Sequence, residues 1–231
     1  MALRIKFCGF IRPADAEAAV RAGADALGLN FVPESPRCLS EPAAARAVAE
    51  AARETARRIR ARVLLAGVFV NPRLSEVLAW AEPLKLDIVQ LHGEEPAQLG
   101  EQLRRAGYSV WKAWRVGSAE DLRPAAEASW PCDAMLLDAR SGRPGGPRGG
   151  TGQVFDWTIL NGFPRRHTLV LAGGLSAKNV ARAVRQVQPD WVDAAGGVES
   201  RAGTKDRALM KAFVAAARAA DKETRAPAAR A

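Results

Sequence analysis

The sequence predicts an α/β fold, a single (β/α)8 TIM barrel with eight parallel strands, and three observations carry that expectation. Short apolar runs alternate eight times with longer Ala-, Leu- and Arg-rich stretches of helical period. The apolar runs are nearly continuous, as strands covered on both faces are. The chain has 231 residues, within the range of about 200–250 typical of one barrel domain. A doubly wound open sheet shares this rhythm, because closure of a sheet leaves no mark in a sequence.

Taken in order, the strands are expected at Leu3–Gly9, Ala26–Phe31, Val63–Val70, Asp87–Leu91, Val110–Trp114, Ala134–Asp138, Thr168–Ala172 and Trp191–Ala194. Between them lie helices near 13–22, 41–59, 73–81, 95–106, 119–128, 156–161, 177–187 and 205–219, several introduced by Pro or by a Ser or Asp in the capping position. Two segments fall outside the rhythm. Residues 139–152 form a long Gly-, Pro- and Arg-rich loop after the sixth strand, read as a mobile lid. The barrel domain is expected to span 1–221, and the polar, Ala-rich residues 222–231 to be a frayed tail.

Composition narrows the function classes. With 48% hydrophobic and 26% charged residues, the chain excludes global disorder, collagen and a coiled coil. No run approaches the roughly 18 apolar residues of a membrane span, and Met1–Lys6 enters a strand without a signal-peptide core, so a cytoplasmic protein without a membrane partner is expected. Cys8, Cys38 and Cys132 are too few and too widely spaced for a disulfide framework or a metal knuckle. The net charge of +9 comes from arginines spread among Glu and Asp, which reads as a solvated basic surface and not as a nucleic-acid site.

In a barrel the chemistry lies at the C-terminal ends of the strands. Strand one ends Lys6-Phe7-Cys8-Gly9, strand two is followed by Pro33-Glu34-Ser35-Pro36-Arg37, and strand four ends Gln90-Leu91-His92-Gly93. Strand six ends in Asp138, strand seven in Gly173-Gly174, and strand eight runs into Ala195-Gly196-Gly197-Val198-Glu199. A thiol, a guanidinium, an imidazole, a carboxylate and two glycine pairs would share one rim. Glycine pairs after neighbouring strands suit a phosphate, since their backbone N–H groups can approach it closely. Each residue also has an ordinary reading: Cys8 as strand packing, Asp138 as a loop cap, His92 as a satisfied structural histidine, Arg37 as a surface arginine. Cys38 and Cys132 are read as packing.

The ordered set of Lys6-Phe7-Cys8-Gly9, 33–37, Val-Gln-Leu-His-Gly 89–93, Leu-Leu-Asp 136–138, Gly-Gly-Thr-Gly 149–152 with Phe155-Asp156-Trp157, Leu-Ala-Gly-Gly-Leu 171–175 with Asn179-Val180, and Gly-Val-Glu 197–199 with Gly203 and Lys205-Asp206 resembles the phosphoribosylanthranilate isomerases of tryptophan biosynthesis, from residue 4 to about 213. The resemblance implies an Amadori rearrangement of N-(5-phosphoribosyl)anthranilate to 1-(2-carboxyphenylamino)-1-deoxyribulose 5-phosphate, with no metal and no organic cofactor. It implies Asp138 as general acid, Cys8 as general base, and Arg37 as the group holding the anthranilate carboxylate. Gln90 and His92 are expected to contact substrate, and Gly173, Gly174, Gly196 and Gly197 to cradle its phosphate. The alternatives are another phosphate-binding barrel isomerase of amino-acid biosynthesis, which would carry two aspartates in place of Cys8 and Asp138, and a non-catalytic phosphate-ligand or RNA-binding barrel.

These roles make demands on the two groups. A carboxyl near pKa 3.9 holds a proton in about one molecule per thousand at pH 7, so an acid Asp138 needs its proton favoured when substrate is bound. A thiol near pKa 8.5 is only a few per cent thiolate, and a fall toward about 7 would raise the active fraction about tenfold. Lys6, two residues before Cys8 and on the same strand face, is the candidate for favouring the thiolate. Three departures from the resembled pattern stand out. Ala195-Gly196 replace two serines, Phe7 replaces an Ile, and Ile11 stands where Thr is frequent. Arg140, Arg143 and Arg148 are candidates to supplement the phosphate site.

Overall fold

The computed structural model describes residues 2–127, 130–139 and 154–225. Strands β1 (Arg4–Cys8), β2 (Ala26–Asn30), β3 (Leu64–Phe69), β4 (Ile88–Leu91), β5 (Ser109–Val116), β6 (Ala134–Ala139), β7 (Thr168–Leu171) and β8 (Trp191–Ala194) pair in order, and β1 pairs in parallel with both β2 and β8. The sheet is therefore closed, and the open-sheet alternative is excluded. Around it run α1 (Pro13–Ala22), α2 (Pro42–Arg58), α3 (Leu74–Leu84), α4 (Ala97–Arg105), α5 (Ala119–Glu127), α6 (Val180–Val187) and α7 (Arg207–Arg225). Among the described residues no helix is long and apolar enough to cross a membrane.

Alternation along each strand divides the apolar residues between two cores. The inner one fills the barrel with Ile88, Trp111, Leu136, Val170 and Trp191 set among small alanines, and Trp111 and Trp191 meet edge to face at 5.0 Å across it. The outer one lies between strands and helices. Phe7 belongs there, against Phe213 of α7 at 5.4 Å, so this departure from the expected Ile changes packing behind the strand and not the lining of the site.

The N-terminal ends of the strands are held by a device repeated four times. An aspartate just before each even-numbered strand accepts a hydrogen bond from the backbone N–H of the preceding odd strand: Asp25 from Ile5, Asp87 from Leu65, Asp133 from Val110 and Asp190 from Leu169, each at 2.8 Å. A charged acceptor here satisfies a strand-end amide that the ladder leaves over.

Three expected elements differ. The helix expected at 156–161 is one 3-10 turn, Trp157–Leu160, capped by Asp156 through Thr158 N–H at 3.0 Å and followed by Gly162 in a left-handed conformation. The helix expected from 177 begins at Val180, because the Asn179 side chain first spans the preceding turn, accepting from Ser176 N–H at 2.8 Å and donating to Gly174 O at 2.9 Å. The last helix runs through Arg225, past the expected tail boundary at 222, and its Asp221 accepts from Leu3 N–H at 3.0 Å. Residues 226–231, and the expected lid apart from Ala139, lie outside the described residues.

Candidate active site

Strand β1 directs Lys6 and Cys8 into the barrel, in register with β8 on one side and β2 on the other. Lys6 is fully buried and donates to Asp193 Oδ2 at 2.7 Å. Gly28 of β2 leaves the space the thiol needs, since a Cβ there would lie 2.6 Å from Cys8 Sγ. Part of Cys8 stays accessible at the mouth, yet the packing round it dominates its acidity. Burial pushes the thiol above its ordinary value, the Lys6 ammonium opposes that, and Asp193 adds to it. Lys6 therefore acts in the direction expected of it, favouring the thiolate, and desolvation outweighs it.

The loop after β2 is shaped by Asn30, whose Oδ1 accepts from Val32 N–H at 2.8 Å and whose Nδ2 donates to Ser35 Oγ at 3.2 Å. It delivers Arg37 onto Gly9, where φ is +85° and a Cβ would meet Arg37 Cδ at 2.3 Å. The guanidinium then forks onto Glu199, Nε to Oε1 at 2.9 Å and Nη2 to Oε2 at 2.7 Å. Glu199 also accepts from Lys205 Nζ at 2.7 Å. Burial works to raise the Glu199 pKa, but the hydrogen bonds from Arg37 and the charge of Lys205 together carry it below the ordinary carboxylate range. Glu199 and Lys205 belong to a hairpin after β8, formed by β9 (Glu199–Arg201) and β10 (Thr204–Lys205).

On the far wall, three strands away round the closed sheet, Asp138 follows the inward-facing Leu136 and shares its parity. His92 Nε2 lies 3.2 Å from Asp138 Oδ2, close enough for an ion pair when protonated but not aligned as a hydrogen bond. Gln90 Nε2 lies 3.2 Å from His92 Nδ1, and Gln90 Oε1 is buried without a partner among the described residues. The backbone beside His92 is fixed from outside the barrel. Glu95 Oε1 accepts from Asn71 N–H at 2.9 Å and Gly93 N–H at 2.8 Å, while Lys112 Nζ donates to Glu95 Oε2 at 2.7 Å and Gly93 O at 2.6 Å.

The glycine pairs close the third side. Gly173 and Gly174 have φ of +87° and +63°. A Cβ on Gly173 would stand 2.2 Å from Ala139 N, and one on Gly197 would stand 1.9 Å from Leu175 O, so the end of β6 and the loops after β7 and β8 pack closely, with no room for side chains at these glycines. The N–H groups of Gly173, Gly174, Gly196 and Gly197 make no hydrogen bond among the described residues. Such uncommitted donors suit an anion.

The structure thus joins Cys8 to Arg37 through Gly9, gathers Gln90 and His92 behind Asp138, and stacks the two glycine pairs. Arg140, Arg143 and Arg148 lie outside the described residues. Cys132 is buried, its thiol raised by burial to about 11, and Cys38 is half-buried one residue after Arg37. Among the described residues, no three His, Cys, Asp or Glu side chains cluster as a metal ion requires. Sequence reasoning assigned no role to Asp193, Glu199, Lys205 or Asn179. A signal existed for Asp193, a charge on the inward parity of an otherwise apolar strand.

A closed barrel whose mouth combines a thiol, a carboxyl group, a guanidinium fork and the backbone N–H groups of two glycine pairs defines an enzyme of acid–base chemistry on an anionic small molecule. The chain belongs to the N-(5'-phosphoribosyl)anthranilate isomerase family, whose model matches residues 5–216. It is 41% identical over 215 residues to the N-(5'-phosphoribosyl)anthranilate isomerase of Nitrosococcus oceani, covering 93% of this chain and 97% of that one. Its fold is similar to the crystal structure of phosphoribosyl anthranilate isomerase from Thermotoga maritima, with a TM-score of 0.79, 34% identity, and coverage of 94% of this chain and 99% of the other. It is similar also to a crystal structure of phosphoribosyl anthranilate isomerase in complex with reduced 1-(o-carboxyphenylamino)-1-deoxyribulose 5-phosphate, with a TM-score of 0.76, 33% identity, and coverage of 94% and 99%.

Proposed function

We infer that this chain is a phosphoribosylanthranilate isomerase, acting in tryptophan biosynthesis by the Amadori rearrangement of N-(5-phosphoribosyl)anthranilate to 1-(2-carboxyphenylamino)-1-deoxyribulose 5-phosphate. In the reading proposed for its residues, Asp138 protonates the furanose ring oxygen and the ring opens to a Schiff base. Cys8, as thiolate, removes the C2 proton, and the resulting enolamine tautomerises to the ketone. His92, 3.2 Å from Asp138, is placed to steady the carboxyl group as its charge changes. Arg37 takes the anthranilate carboxylate on the guanidinium protons that Glu199 leaves over, and the glycine N–H groups take the phosphate.

The observation that carries this reading is that Cys8 and Asp138 face the same mouth from strands three apart, β1 and β6, so acid and base can act on different atoms of one substrate. Loss of substrate fluorescence in the wild type, with near-complete loss of turnover in Cys8→Ala and Asp138→Asn, is the test. Turnover surviving both substitutions overturns the residue roles, and a folded wild type without turnover overturns the activity. A cytoplasmic location is also proposed, on the strength of three free thiols; fractionation placing the protein in an oxidising compartment overturns it.

A further inference from the structure

We propose that Glu199 is a positioning residue for Arg37 and that, anchored by Lys205, it sets the enzyme's preference for a substrate whose aromatic amine carries a carboxylate. The proposal rests on the reading of Arg37 as the carboxylate receptor.

Lys205 is buried, and its ammonium has three protons and three acceptors: Cys8 O at 2.6 Å, Ala195 O at 3.2 Å and Glu199 Oε1 at 2.7 Å. With every proton committed, it has none for a ligand. What it does is lock the Glu199 carboxylate against the end of the thiol strand and the start of the loop that holds Gly196 and Gly197. Glu199, at 3% side-chain exposure, then presents both oxygens to one edge of Arg37, fixing the plane of the guanidinium. The fork uses Nε and one Nη2 proton, so three of the five guanidinium N–H donors are not spent on Glu199.

Charge points the same way. Arg37 and Lys205 are two cations sharing one carboxylate, so the cluster keeps a net positive charge. Among the described residues Arg37 is its only member with uncommitted donors and, at 13% side-chain exposure, the only one that reaches solvent appreciably. A carboxylate is the ligand chemistry that completes both the charge and the donor count. Without Glu199 the same guanidinium would sweep through several rotamers, and small misplacements of a binding group cost rates heavily.

The test compares the natural substrate with its decarboxylated analogue, N-(5-phosphoribosyl)aniline, in wild type, Glu199→Gln, Glu199→Asp and Arg37→Met. Glu199→Asp keeps the charge that Lys205 needs while drawing the carboxylate back by one methylene, which protects the fold. Expected is a drop of about 10- to 100-fold in kcat/KM on the carboxylated substrate, expressed mainly in KM, with less than about threefold change on the aniline adduct. Equal losses on both substrates, or no loss on either, in both folded Glu199 variants overturn the proposal. Should Arg37→Met fail to discriminate between the substrates, the reading of Arg37 itself fails. If Arg37→Met discriminates and the Glu199 variants do not, only the role of Glu199 is overturned.

Discussion

The Lys6 ammonium meets the Asp193 carboxylate at 2.7 Å inside the barrel, one strand-face step beneath the Cys8 thiol. Both charges bear on that thiol with opposite sign, Lys6 favouring the thiolate and Asp193 the neutral form. Because burial leaves the thiol raised in the free enzyme, the thiolate population is expected to climb through and beyond pH 7. Lys6→Met moves this rise to higher pH, and each unit of that movement cuts the thiolate fraction at pH 7 about tenfold. Asp193→Asn moves it to lower pH. Thiol titration by ultraviolet absorbance beside the pH–rate profile checks both; identical profiles in all three proteins would remove Lys6 and Asp193 from the chemistry.

Loss of either proton-transfer group is expected to be severe. Cys8→Ala and Asp138→Asn should each lower kcat by about 10²- to 10⁴-fold while leaving substrate affinity within severalfold, because neither group supplies the anion contacts. His92→Ala, which leaves Asp138 without its neighbour at 3.2 Å, should give a smaller loss of kcat. Single-turnover kinetics separates these effects from binding.

The phosphate loops predict a different signature. A methyl on Gly197 would stand 1.9 Å from Leu175 O, a backbone atom that cannot swing aside. Gly197→Ala should therefore push the loops after β7 and β8 apart, raising KM and the inhibition constant of inorganic phosphate together by about tenfold or more. A rise in KM with unchanged phosphate inhibition would place the phosphate elsewhere.

At the opposite end of the barrel, Asp87→Ala leaves the Leu65 N–H without the acceptor it has at 2.8 Å. The expected cost is about 1–3 kcal/mol of unfolding free energy, with activity per folded molecule unchanged. Urea denaturation measures the first and active-site titration the second.

Much of this was legible before the fold was seen, and the reason is locality. Strand ends such as Lys6-Phe7-Cys8 and Leu136-Leu137-Asp138 declare themselves through a few contiguous residues, and the barrel rule carries them to one rim. What escaped depends on distance along the chain. Glu199 meets Arg37 across 162 positions, and Lys205 meets Cys8 across 197, so no local pattern announces either contact. The balance at Cys8 is hidden for a related reason: the sequence displays the neighbouring ammonium but not the burial that outweighs it. The turn at 157–160 reads as a helix because its apolar spacing does not distinguish a single 3-10 turn from an α-helix.

The four aspartates before the even strands divide the barrel into strand pairs, β1 with β2, β3 with β4, β5 with β6, and β7 with β8. New chain termini opened between pairs, in the loop at 59–63 or at 106–108, leave all four brackets within continuous chain; termini opened inside a pair separate an aspartate from its amide. Circular permutants of the first kind should thus refold more readily than those of the second. The barrel is in this sense a chain of four self-bracing modules, with chemistry carried on the edge that the braces leave free.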